Sequence, residues 1–198
     1  MRLILIRHGQ TQSNIDRLLD TGYPGAPLTP QGQAQAQSLV ARLADEPIQA
    51  VYASDLLRAQ QTAAPLAAQR GLPVHSHSGL REIYAGVDDM AADWRPYVAV
   101  LDSWGDTPDN CLPGGENAIH FFGRFDAAVA EIEATGVGCA ALVSHGAAMW
   151  VWASVRSDNL DPETVRDWRL DNTDVVVMSR TGQGWDLVRW GDLSIDPS

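Results

Sequence analysis

Two short stretches of the 198-residue chain end an apolar run on the pair His-Gly: LILIRHG, with His8 and Gly9, and ALVSHG, with His145 and Gly146. A histidine of ordinary pKa offers a neutral ring nitrogen as nucleophile or base near neutrality. Glycine lets the chain turn sharply and leaves backbone N–H groups open to an anion. Arg7 precedes the first pair, and Arg58 stands in the first turn of the helix expected from DLLRAQQTAAPLAAQRG. Guanidinium groups bind phosphate oxygens bidentately, and helix N-termini attract anions. Glu82, in GLREIYAG, follows an expected strand and could act as a general acid above such a site; taken alone it reads as a surface carboxylate or a partner of Arg81. Asp55 reads as a helix cap. A lone histidine is usually a surface or core residue, but two strand-ending His-Gly pairs with two arginines favour one shared anionic site.

The elements that must carry these residues alternate between strand and helix. RLILIR at 2–7 reads as a short buried strand. In LTPQGQAQAQSLVARLADE, Thr29 is the expected N-cap and Pro30 the first helical residue. QAVYAS at 49–54 is a second strand, and a helix from near Asp55 to Gly71 follows, with a kink or break expected at Pro65. LPVHSH is a third strand. A long helix is expected over Glu116 to Thr135, ended by Gly136. GCAALVSHG is a buried strand leading into the helix AAMWVWASVR. TDVVVMSR and WDLVRW flank the turn TGQG as a hairpin. The pattern predicts an α/β three-layer sandwich: a mainly parallel sheet, helices on both faces and an antiparallel edge. In such a sheet, ligands bind at the carboxyl ends of the strands. Residues 1–198 read as one domain, and 84–115, rich in Asp, Gly, Pro and Trp, as an insertion over one end of the sheet with a helix around Trp94 to Trp104. Packing is the preferred reading for Trp94, Trp104, Trp150 and Trp152, with the first two able to line a substrate mouth.

Composition narrows the chemistry. A formal net charge of −11, from 14 basic and 25 acidic residues, argues against nucleic acid as the main partner. A small anionic substrate remains compatible, because a basic pocket can exist on an acidic protein. All 14 basic residues are arginine. Without lysine, a phosphate-loop motif, a Schiff base and pyridoxal-phosphate chemistry are excluded, so any phosphate falls to arginine. Cys111 and Cys139 read as reduced thiols rather than a disulfide framework. The apolar run Leu3 to Ile6 is too short for a signal peptide, and no stretch approaches the roughly 20 residues of a membrane span. A cytoplasmic protein with no membrane partner is expected; the oligomeric state is open, a homodimer included.

LIRHGQTQSN resembles the signature of the histidine phosphatase superfamily, the branch with the RHG motif, which includes cofactor-dependent phosphoglycerate mutases. PLTPQGQAQAQSL, SDLLRAQQTA, LREIYAG, PGGEN, VSHG and DNTDVVVM are similar, in order, to later motifs of that family. The resemblance implies that His8 takes the phosphoryl group, that Arg7, Arg58 and His145 surround its oxygens, and that Glu82 protonates the leaving oxygen and then deprotonates water. It further implies substrate contacts from Asn14, Thr11 and Arg17, and from the backbone N–H of Gly146. Phosphoryl transfer needs an in-line nucleophile within a cage of positive charge, and a covalent phosphohistidine splits one hard hydrolysis into two transfers. The second ring nitrogen of His8 is then expected to donate to a backbone carbonyl. No metal or cofactor is expected, and no H-E-x-x-H spacing occurs.

The chain departs from the family pattern twice. VDDMAADW stands after Gly86 where a Trp-Glu-Gly run is usual, and the loop IDRLLDTGYPGAP lacks the usual Gln-Gly pair after Arg17. Both departures lie where specificity is usually set. The resulting expectation is a metal-independent phosphomonoesterase acting on a small phosphorylated metabolite. The alternatives are a phosphoglycerate mutase or a non-catalytic phospho-ligand module. The short chain, the modest insertion and the missing lysine favour hydrolysis over the mutase.

Overall fold

The computed structural model describes residues 1–165, 168–182 and 184–195. Strand β1 (Arg2–Arg7) has Leu3, Ile4, Leu5 and Ile6 wholly buried. Leu3 and Leu5 face one cluster with Leu142, Met178, Phe121, Phe125 and Trp152. Ile4 and Ile6 face another with Val143, Val177, Leu39, Leu43 and Leu66. Alternate residues of one strand thus enter two cores, which requires cover on both faces of the sheet. Each such side chain contributes about 1.5–3 kcal/mol on burial.

The cover comes from helices. On one face lie α2 (Pro30–Arg42) and α3 (Leu57–Arg70); on the other lie α5 (Ala118–Ala134) and α6 (Gly146–Arg156). Between them run β2 (Ala50–Ala53), β3 (Val74–Ser76), β4 (Cys139–Ser144), β5 (Val175–Thr181), β6 (Gly184–Trp190) and β7 (Leu193–Ser194). Short helices α1 (Gln12–Ile15), α4 (Arg95–Ser103) and α7 (Pro162–Val165) complete the chain. The strand order is β3-β2-β4-β1-β5-β6-β7. The first four strands pair in parallel and the last three pair antiparallel. The antiparallel part is therefore broader than a closing hairpin, because β5 pairs directly with β1 and β7 extends the edge. Gln183, in the expected hairpin turn, lies outside the described residues.

Three local expectations are corrected or refined. Pro65 does not break α3, which continues to Arg70 with Leu66 and Ala67 buried against the sheet; their packing outweighs the missing proline N–H. Asp55 is not the cap of that helix. Leu56 holds the N-cap position without a side-chain bond, and Asp55 instead pairs with Arg81. Thr29 does cap α2, accepting the Gly32 N–H at 3.0 Å, with Pro30 at its first position.

The register of β1 on β4 decides the rest. Arg7 pairs with Ser144, so the next residues, His8 and His145, emerge side by side at the carboxyl edge. Gly9 then runs against α2. A Cβ on Gly9 would lie 2.7 Å from the Gly32 carbonyl, and one on Gly32 would lie 2.1 Å from that of Gln10. Only glycine at both positions allows this approach.

Candidate active site

His8 is 4% exposed, and its Nδ1 donates to the Gly9 carbonyl at 2.8 Å. A carbonyl only accepts, so Nδ1 carries the proton and Nε2 keeps the lone pair. Burial is the largest cause holding the His8 pKa well below the usual histidine value, with Arg58 and Arg7 adding repulsion. The ring is therefore neutral at neutral pH. The Gly9 N–H donates to Thr62 Oγ1 at 2.9 Å, which fixes the loop carrying that carbonyl to α3.

His145 lies wholly buried against His8, ring centroids 5.2 Å apart. Burial, then Arg58, holds its pKa low as well. Its Nε2 meets Ser54 Oγ at 2.9 Å, while that hydroxyl accepts the Leu56 N–H at 3.3 Å. The Ser54 hydroxyl keeps both its proton and a second lone pair, so it partners Nε2 in either tautomer and leaves Nδ1 as the free ring nitrogen. That Nδ1 is buried without a partner, and so is Nε of Arg7. A buried donor without an acceptor costs about 1–3 kcal/mol, so the Arg7 Nε–H marks a position for an anion.

Arg7, His8, Thr11, Asn14, Arg58, Glu82 and Gly146 all line one small cavity of about 70 Å³. His145 stands behind His8 rather than in this wall. Arg17 is exposed and lines only a wider outer space of about 680 Å³. Thr11 caps α1 and Asn14 reciprocates: the Asn14 N–H donates to Thr11 Oγ1 and the Thr11 N–H to Asn14 Oδ1. Asn14 Oδ1 also accepts from Asn172 Nδ2 at 3.1 Å, so both of its contacts use the oxygen. Its amide nitrogen remains for the cavity.

The charges in the wall have fixed partners. Arg7 Nη1 donates to the Leu170 carbonyl. Arg58 donates to the Asp20 carboxylate at 3.2 Å and to the Asp20 carbonyl at 2.8 Å, an ion pair with side chains 2% and 9% exposed. Glu82 packs on the first turn of α6. Its Oε1 accepts from Ala148 N–H at 2.7 Å and Ile83 N–H at 2.9 Å, and Oε2 from Ala147 N–H at 3.1 Å. Oε2 keeps a lone pair free. Arg124 donates to the carbonyls of Gly79, Arg81 and Glu82 and pairs with Glu116, fixing the segment that carries this carboxylate.

Sequence reasoning missed Ser54, Asp20, Arg124 and Asn172 as supports of the site. Ser54 directly follows a strand end in ASDLLR, which is the one signal that could have found it. It also missed Tyr97, whose hydroxyl donates to the Ile83 carbonyl at 2.9 Å. Burial, then Glu82, raises the Tyr97 pKa well above the usual value. Trp94 departs from the packing reading: it is 39% exposed, lines the cavity and donates Nε1–H to the Arg17 carbonyl at 2.9 Å. Together Trp94 and Tyr97 roof the cavity from the 84–115 segment. Asp89 of the same segment accepts from Thr21 N–H and O–H and from Gly22 N–H, which clamps the segment to the first loop.

The family model described as the histidine phosphatase superfamily (branch 1) matches residues 3–193. A PE-PGRS family protein of Mycobacterium tuberculosis is 31% identical over 98% of this chain and 37% of its own length. An adenosylcobalamin/alpha-ribazole phosphatase of Escherichia coli is 40% identical over 52% of this chain and 54% of its own. The chain thus aligns with about a third of the first of these relatives and about half of the second. A probable phosphoglycerate mutase of Salmonella choleraesuis is 28% identical over 98% of this chain and 94% of its own. Among solved structures, the alpha-ribazole phosphatase of Shigella flexneri superposes with a TM-score of 0.77 at 28% identity, covering 100% of both chains.

Proposed function

The chain belongs to the histidine phosphatase superfamily, branch 1, and on that premise we propose that it hydrolyses a small phosphomonoester through a phosphohistidine at His8. The observation that carries this reading is the His8 ring. It is neutral, its tautomer is held by the Gly9 carbonyl, and it shares the wall of a small cavity with two arginines. The unpartnered Nε of Arg7, a residue of the same wall, supports an anion there.

In the first transfer, Nε2 attacks phosphorus in line, and the leaving oxygen takes a proton from Glu82. In the second, Glu82 takes a proton from water as that water attacks the phosphohistidine, and Nε2 departs with its lone pair restored. Arg7 and Arg58 offset the charge on the equatorial oxygens, and Asn14 and Thr11 supply polar contacts. Arg17 meets only the leaving group at the outer mouth. The same reading treats residues 1–198 as one domain, with 84–115 as the insertion that roofs the site. Among the described residues no helix is long and apolar enough to cross a membrane. Unpaired thiols at exposed Cys111 and buried Cys139 support a reducing, cytoplasmic setting.

The Salmonella relative keeps the mutase as the second reading. One assay separates the two. With 3-phosphoglycerate and catalytic bisphosphoglycerate supplied, a phosphatase releases inorganic phosphate, whereas rapid isomerisation without phosphate release overturns the proposal.

A further inference from the structure

We propose that the alcohol released by this enzyme carries an uncharged aromatic group, held in a tryptophan-walled recess beside the phosphate cavity. This rests on the phosphatase reading above. The recess measures about 400 Å³ and shares Arg7, Tyr97, Gly146 and Ala147 with the inner cavity, so a ligand can occupy both at once. Its own walls are Trp150, Trp168, Val98, Leu101 and Leu170, with Trp94 at the junction. A volume of this size suits an organic group far larger than phosphate.

The polar atoms of Trp150, Trp94 and Tyr97 are already committed. Trp150 Nε1–H donates to the Val165 carbonyl at 3.0 Å, Trp94 Nε1–H to Arg17 and Tyr97 O–H to Ile83. What they present to the recess is ring carbon. The Trp168 ring packs edge-on against Trp190, centroids 5.7 Å apart, so its orientation is set before a ligand arrives. Asp102 and Arg169 also stand in the wall, one of each sign and each with an interaction partner, and the remaining charge there, Arg7, is the one the proposed mechanism gives to the phosphate. A carboxylate entering it would lose water against apolar faces, whereas an aromatic ring would stack. The outer space of about 680 Å³ shares Trp94, Val98 and Asp102 with the recess and adds the polar groups of Arg17, Arg95, Asn14 and Asn172.

The test compares kcat/KM for 3-phenylpropyl phosphate, glycerol 3-phosphate and 3-phosphoglycerate, all alkyl esters of similar intrinsic reactivity. The aromatic ester is expected to lead by about tenfold to a few hundredfold, the range that burying one ring provides. Val98 is 45% exposed, so Val98→Glu adds a charge to the recess without entering the core. It is expected to lower the aromatic-to-glycerol ratio at least tenfold, and Trp168→Ala to lower it in the same direction. Equal kcat/KM for all three esters, a lead for 3-phosphoglycerate, or an unchanged ratio in both variants overturns the recess while leaving the phosphatase standing. Failure to release phosphate from any ester overturns the phosphatase reading and this one with it.

Discussion

Two parts of the molecule meet at one cavity and are built by different means. Arg7, His8 and His145 end adjacent parallel strands, where the ladder from Arg2↔Cys139 to Arg7↔Ser144 sets their positions. Trp94, Tyr97 and Leu170 reach the same space from an inserted helix and a loop, held mainly by single hydrogen bonds such as Trp94 to Arg17 and Tyr97 to Ile83. The strand-borne part is buried at His8 and His145 and continuous with strands packed in both cores. The inserted part is half-exposed at Trp94 and Val98. Chemistry that tolerates little displacement is therefore mounted on the sheet, and recognition of the leaving group is mounted where sequence can vary without disturbing the core.

This contrast predicts a graded set of effects. The largest falls on the strand-borne part: His8→Ala is expected to lower turnover by at least about 10⁴-fold in steady-state phosphate release, since no second histidine lines the cavity among the described residues. Glu82→Gln is expected to cost about 10²–10⁴-fold in kcat. The loss should be smaller for 4-nitrophenyl phosphate, whose leaving oxygen needs no proton; an equal loss on both esters would remove Glu82 from the acid role. Ser54→Ala removes the hydrogen bond that orients the His145 ring, and a loss of about 10–100-fold in kcat/KM is expected, as for other residues that orient a working histidine. Trp94→Ala is expected to raise KM several-fold with kcat within about threefold. A fall in kcat as large as that of Glu82→Gln would erase the distinction between the two parts.

The smallest effect is thermodynamic. His8 and His145 are held neutral in the fold, with pKa values below the unfolded value near 6.5. Below that pH the unfolded chain binds the extra protons, so stability is full above about pH 6.5 and declines as pH falls. Urea unfolding at pH 7.5 and 5.5 should show a loss of up to about 1.4 kcal/mol per histidine, and His145→Gln should shrink the difference by its share. An unchanged difference would mean that burial does not hold the ring neutral.

The strand-borne part was readable because its signals are local. Four consecutive apolar residues announce β1, His-Gly announces its end, and the same pattern recurs at Ser144–Gly146. Thr29-Pro30 announces α2 for the same reason. The supports of the site were not readable, because each acts between segments far apart in the chain. Asp20 meets Arg58 across 38 residues, Ser54 meets His145 across 91, and Asn172 meets His8 across 164. Asp55 shows how a local rule can mislead: its residue type suits a cap, but Arg81 is within reach and a bidentate ion pair prevails. The roof was visible only as an insertion of unusual composition. That Trp94 and Tyr97 turn inward depends on Asp89 clamping the segment to Thr21 and Gly22, a contact between two loops without periodicity.

The most direct test of the account is to trap the phosphoenzyme. The full chain is mixed with a ³²P-labelled phosphomonoester, quenched within one turnover in alkali and cleaved at arginine. The account predicts alkali-stable, acid-labile label on the peptide from His8 to Arg17, appearing no later than the alcohol product, and none in His8→Ala. Steady phosphate release with no label on that peptide would contradict it.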